Sequence, residues 1–126
     1  MIGTVNFTLA SDPKIACTCG NPLCDKRTVN QSTLVRLQVV RDIVEHGLSV
    51  TSGGRCRNHP TEIHRDTPAD HQKGYGVDVS ANGGNRGNIV NAGIHAGFNA
   101  IGVAKTFVHL GYRPESPAGH LTMWVY

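Results

Sequence analysis

Glycine constrains this chain more than any other residue type. Fifteen of its 126 residues are glycine. In a helix or strand interior each costs roughly 0.5–1 kcal/mol relative to alanine. A chain this rich in glycine is expected to be loop-rich. One segment stands out against that background, "STLVRLQVVRDIVEHG" at 32–47. Ser32 stands where an N-cap belongs and Gly47 where a C-terminal glycine does. Leu34, Leu37, Val40 and Val44 fall on one stripe, with Val39 and Ile43 beside it, so this helix is expected to face a core.

The rest reads as short pieces. Residues 1–30, which hold Pro13 and Pro22, are irregular. "LSVTSG" (48–53) is a short strand closed by Gly53 and Gly54. A polar loop, "RCRNHPTEIHRDTPAD", leads to a second strand, "GVDVS", and "ANGGNRG" forms a turn. "NIVNAGIHAGF" is a glycine-weakened helix with Val90, Ile94, Gly97 and Phe98 on its packing side. Short strands follow near "AIGVA", "TFVHL" and "TMWVY". This order predicts an α+β fold, a small antiparallel sheet flanked by helices. The length suits one domain over 1–126.

Hydrophobic content of 39% and charged content of 17% are ordinary for a globular protein. No apolar run approaches the ~20 residues that would span a membrane. "MIGTVNFTLASDPK" carries no basic region followed by a long apolar core. The expectation is a chain made in the cytoplasm without a signal peptide. A net charge of +3 favours an anionic partner such as a cell wall or nucleic acid. With no long Lys/Arg run and few interleaved aromatics, nucleic acid is not the expected partner. A small DNA-binding protein organised by its cysteines is the weaker rival, and a monomer is expected.

Chemistry concentrates in two places. The first is "HQKGYGVDVS" (71–80) together with "TFVHL" (106–110). Successive strand side chains point to opposite faces. Asp78 therefore leaves the face of Val77 and Val79, and His109 joins Phe107 opposite Thr106, Val108 and Leu110. His71, at the end of the preceding loop, can fold over both, with Gly74 and Gly76 as the flexible link. Two imidazoles and a carboxylate suit a catalytic zinc with an open position for water. The competing reading is a solvated Asp78 and a satisfied core histidine at 109. The second place is the cysteines Cys17, Cys19, Cys24 and Cys56. Four cysteines allow three disulfide pairings, or one structural zinc, or buried free thiols. The spacing C-x-C-x4-C is not that of a usual zinc finger. Tyr75, Trp124 and Tyr126 read as packing residues.

The chain resembles the zinc D-Ala-D-Ala carboxypeptidase family of peptidases, and within it the phage-type branch that includes L-alanyl-D-glutamate endolysins. The similar pieces are "FTLASDPKIACTCG", "STLVRLQVVRDIV", "VTSGGRCRNHPTE", "HQKGYGVDVS", "GFNAIGVA", "TFVHL" and "TMWVY". The resemblance implies a hedgehog/DD-peptidase-like fold, Zn²⁺ held by His71, Asp78 and His109, and peptidoglycan stem peptide as substrate. Arg55, in "SGGR", matches the family arginine that binds the substrate carboxylate or oxyanion, the competing reading being a structural ion pair, and Ser52 would either help orient that site or stabilise the turn. The expected place of action is the cell wall or periplasm, or a virion.

The match departs at the general base. Family members carry an acid three positions before the last histidine, where this chain has Thr106. The phage-type branch reads H-x-D at the last ligand, where this chain has Gly111, so a carboxylate is expected to be missing near the metal. Ala69 replaces a serine common two positions before the first ligand. Glu62, Asp70, Glu115 and His120 are the substitute bases to weigh. The alternative is a catalytically impaired wall-binding or virion structural module that keeps the zinc fold.

Overall fold

A computed structural model describes residues 2–126. Helix α1 runs Gln31–Val44 and buries Leu34, Leu37 and Val40 completely. Val39 and Ile43 stay largely exposed, so the apolar stripe is narrower than the sequence predicts. The N-cap is Asn30, whose carbonyl accepts the Thr33 and Leu34 amides. Ser32 instead lies inside the first turn. The helix ends before Gly47, because Glu45 takes the left-handed conformation (φ 60°) and donates its amide to Arg41.

Five strands form one sheet: β1 Val50–Ser52, β2 Gly76–Ser80, β3 Ala100–Val103, β4 Phe107–Gly111 and β5 Thr122–Val125. Their spatial order is β1-β2-β4-β3-β5. All neighbouring pairs are antiparallel except β3–β5, which is parallel. The small antiparallel sheet expected from sequence is present, and β5 joins it as a parallel edge strand because it returns through the long connection 112–121 and not through a hairpin. A one-turn helix, α2, spans Asp70–Lys73 where a loop was expected, and α3 spans Arg86–His95.

Alternation along the strands separates core from site. Val77, Val79, Ile101, Val108 and Leu110 are fully buried in the core cluster with α1 and α3. The face α3 buries is Ile89, Ala92 and Gly93, one residue out of step with expectation, and Ile94 is exposed. Gly93 explains the offset: a Cβ there would lie 2.6 Å from Leu110 Cδ2, so the bare glycine receives the leucine. Phe98 reaches the core just after the helix, as expected.

Residues 2–30 carry only a 3₁₀ turn (Pro13–Ile15) and two isolated bridges, Gly3–Thr8 and Ala16–Thr28, as regular structure. They are nonetheless anchored, since Phe7, Ile15 and Val29 are buried. The chain after β1 runs hard against them. A Cβ at Gly53 would sit 2.6 Å from the Lys14 carbonyl, and one at Gly54 would collide with the Arg27 carbonyl. These two glycines permit a close backbone approach as well as ending the strand.

Candidate metal centre

Asp78 on β2 and His109 on β4 are direct cross-strand partners. Both leave the sheet on the face opposite the core valines, as the period-two pattern requires. His71 is carried over them by α2, which Gly74 closes in the left-handed conformation (φ 77°). Gly76 has a different task from the flexible link expected of it. A Cβ there would come 2.8 Å from His109 Cε1, so the strand is bare to admit the ring. All three side chains are buried, and their donor atoms lie within 4.8 Å of one another.

The donor set passes a fit test for zinc. His71 Nδ1 lies 2.7 Å from the Gly53 carbonyl. A carbonyl only accepts, so Nδ1 carries a proton and Nε2 is the nitrogen left to face a metal. That Nε2 is 3.3 Å from Asp78 Oδ1, and His109 Nδ1 is 2.9 Å from the same oxygen. Ligands about 2.0–2.1 Å from a tetrahedral zinc are about 3.3–3.4 Å apart, so a small inward ion fits with little movement. The far nitrogen of each ring is anchored too: His71 on Gly53, and His109 through Nε2 on Asp70 Oδ2 at 2.9 Å. Such backing fixes ring orientation in metal sites.

Asp70 is itself clamped. Arg113 donates Nε to Oδ1 at 2.8 Å and Nη2 to Oδ2 at 3.1 Å. This places a carboxylate where the sequence seemed to have lost one. A Cβ at Gly111 would lie 2.8 Å from Asp70 Oδ2 and 3.1 Å from His109 Nε2. The space left by glycine at 111 is therefore filled from α2. Neither Asp70 nor Arg113 could be assigned this role from sequence, because 43 residues separate the pair and no periodicity links them.

Charge follows from these contacts. Burial would raise the Asp78 carboxyl, but hydrogen bonds from His109 and His71 outweigh it and hold it well below the usual carboxylate range. Asp70 behaves alike: burial opposes, and the His109 and Arg113 hydrogen bonds prevail. Burial would lower the His109 imidazole, yet Asp70 and Asp78, one on each ring nitrogen, raise it.

Arg55 completes the cluster. Its Nε donates to Ser52 Oγ at 3.0 Å, Nη1 to Glu62 at 3.2 Å and Nη2 to Asp78 Oδ2 at 3.4 Å. Ser52 thus holds the arginine, and Glu62 is a buried counter-ion shared with Arg65 at 3.2 Å. The three donor residues border a cleft of about 420 Å³ together with Arg55, Asp70, Arg113 and the rings of Phe107, Trp124 and Tyr126. Trp124, expected only to pack, lies 5.4 Å from the His109 ring and lines this cleft. Gly102 admits it, since a Cβ there would come 2.5 Å from Trp124 Nε1.

The other candidate bases lie elsewhere. Glu62 is outside the cleft wall, bound to its arginines. Glu115 is exposed, 4.0 Å from Lys73. His120 borders a different hollow of about 520 Å³ formed by the tail 112–121 and the end of α3. That larger hollow contains none of the metal-binding set. Asp70 alone of the four lines the cleft, and it sits behind His109.

A converging pair of imidazoles and a carboxylate, braced from behind and bordered by an arginine-lined cleft, makes a candidate site for a single metal ion. The same chain matches the Peptidase M15 family over residues 6–111 and belongs to that family. Membership points to a metallopeptidase, and M15 peptidases are zinc-dependent in general. No curated protein matches the chain. Among the described residues no helix is long and apolar enough to cross a membrane.

Proposed function

We propose that the chain is a zinc peptidase of the phage-type branch that hydrolyses peptidoglycan stem peptides, as an endolysin-like L-Ala–D-Glu endopeptidase or a D,D-carboxypeptidase. The observation that carries this is the buried His71–Asp78–His109 set opening on a cleft that also holds Arg55. A zinc ion held there supplies a Lewis acid and lowers the pKa of bound water toward ~7.

The chain's own residues do the rest. A guanidinium has five N–H donors. Three directions of Arg55 are engaged by Ser52, Glu62 and Asp78, which fixes its plane. The remaining N–H groups are free to hold a substrate carboxylate or a developing oxyanion. Arg65 and Arg113 add positive charge along the cleft, suited to a peptide bearing carboxylates. Phe107, Trp124 and Tyr126 offer apolar surface for its side chains. Asp70 positions His109 through Nε2. The setting that goes with this activity is the cell wall or periplasm, or a virion that carries the protein to it.

A second reading has its own support. Both carboxylates of the cleft are engaged, Asp78 by the two histidines and Asp70 by His109 and Arg113. General-base help is typically worth ~10²–10⁴-fold, so slow turnover or a wall-binding module without turnover would follow. Mass spectrometry of muropeptides after incubation decides between them and identifies the bond. The expected result is a new peptide terminus with the native protein, absent after chelation and absent with His71→Ala. Unchanged muropeptides with zinc-loaded protein would leave the binding module standing and reject the peptidase.

A further inference from the structure

We propose that Cys17, Cys19, Cys24 and Cys56 hold a structural zinc ion, separate from the centre at His71. The four sulfurs lie within 4.8 Å of one another, although Cys56 is 32 residues beyond Cys24. Cys19 Sγ and Cys56 Sγ are 3.5 Å apart. Sulfurs about 2.3 Å from a tetrahedral zinc are spaced about 3.8 Å apart, whereas a disulfide brings two of them to about 2.05 Å. Cys17 and Cys56 are buried and the other two are half-buried, as a closed structural site requires.

A local turn aims a backbone donor at the cluster. Lys26 adopts φ 53°, which non-glycine residues seldom do. This conformation accompanies an amide that donates to Cys24 Sγ at 3.3 Å. Binding would release the four thiol protons and leave a net doubly negative cluster. Lys26 lines the same hollow as Cys17 and Cys24, where its charge would offset part of that.

The site would add to the core contacts and backbone hydrogen bonds that already anchor the first segment. Residues 2–30 have little regular secondary structure, yet they form the wall against which Gly53 and Gly54 pack. Cys56 adjoins Arg55, and the Arg55 amide donates to the His71 carbonyl at 3.2 Å. An ion bound by Cys17, Cys19, Cys24 and Cys56 would therefore fasten the segment that supplies Arg55 to the cleft and the Gly53 carbonyl to His71.

The test is metal analysis with zinc-edge X-ray absorption on the full chain purified in reducing buffer. Wild-type protein should carry two zinc ions. The His71→Ala variant should carry one, with four sulfur neighbours at about 2.3 Å. Cys19→Ser/Cys56→Ser should lose one zinc; should that variant not fold, the absorption spectrum of His71→Ala still decides. Zinc-free His71→Ala, or zinc with only nitrogen and oxygen neighbours, would overturn the proposal. So would a native, non-reduced mass lower by two hydrogens for each cysteine pair. If His71→Ala keeps both ions, including the four-sulfur one, the cysteine site stands and the assignment at His71 fails.

Discussion

Glycine at 111 stands where the family resemblance leads one to expect an aspartate, and it gives the sharpest mutational test. Introducing Gly111→Asp would put a Cβ 2.8 Å from Asp70 Oδ2 and 3.1 Å from His109 Nε2. The first distance is too short to persist, so the Asp70 carboxylate must leave His109, Arg113 or both. Loss of such a backing contact typically costs about 10–100-fold in metal affinity, or about 1.4–2.8 kcal/mol. Asp70→Ala alone should cost a similar amount by removing the same carboxylate. In the double variant the new aspartate enters the space Asp70 vacated, so its loss should be well short of the product of the two singles. Zinc dissociation constants by chelator competition, arranged as a double-mutant cycle, measure this coupling. Strict additivity, or a Gly111→Asp protein that binds zinc as tightly as wild type, would refute the idea that Asp70 occupies the place of the missing side chain.

Three further outcomes follow from the same contacts. Arg55→Lys keeps the charge but loses the planar fork; kcat should fall by about 10²-fold, the scale of one oxyanion donor, with zinc content unchanged, and activity within twofold of wild type would exclude the role. Gly93→Ala should destabilise by about 1–3 kcal/mol through overpacking against Leu110, read as a lower urea midpoint; an unchanged midpoint would contradict the close α3–β4 contact. Metal-free protein should be most stable between the ordinary carboxylate and imidazole values, 3.8 and 6.5. Asp70 and Asp78, held low in the fold, contribute stability that is lost as pH falls through their folded values. His109, held high, contributes stability present below 6.5 and lost as pH rises through its folded value. Thermal melts of chelated protein across pH check this, and a rising melting temperature from pH 6 to 9 would contradict it.

Strand alternation, a local rule, put Asp78 and His109 on one face, while their grouping with His71 as a donor set came from the family resemblance. Valines at 77, 79 and 108 bury one face, so Asp78 and His109 must take the other. The long helix was equally legible from its apolar stripe, although its ends moved to Asn30 and Glu45. What stayed hidden depends on approach in space. Asp70 bracing His109 needs Arg113 from the far side of β4. Gly76 and Gly102 matter for the rings they admit, His109 and Trp124, and glycine in a sequence does not say what will lie over it. The missing carboxylate at 111 was visible, but its replacement from α2 was not. The parallel β5 likewise depends on where a long connection returns.

Anomalous diffraction at the zinc edge from crystals of the zinc-loaded protein tests the central claim most directly. The account predicts a peak about 2.0–2.2 Å from His71 Nε2, an Asp78 oxygen and His109 Nδ1, with Asp70 still bonded to His109 Nε2. An empty position between these three residues, or an ion bound through His109 Nε2 and Asp70 in place of Asp78, would contradict it.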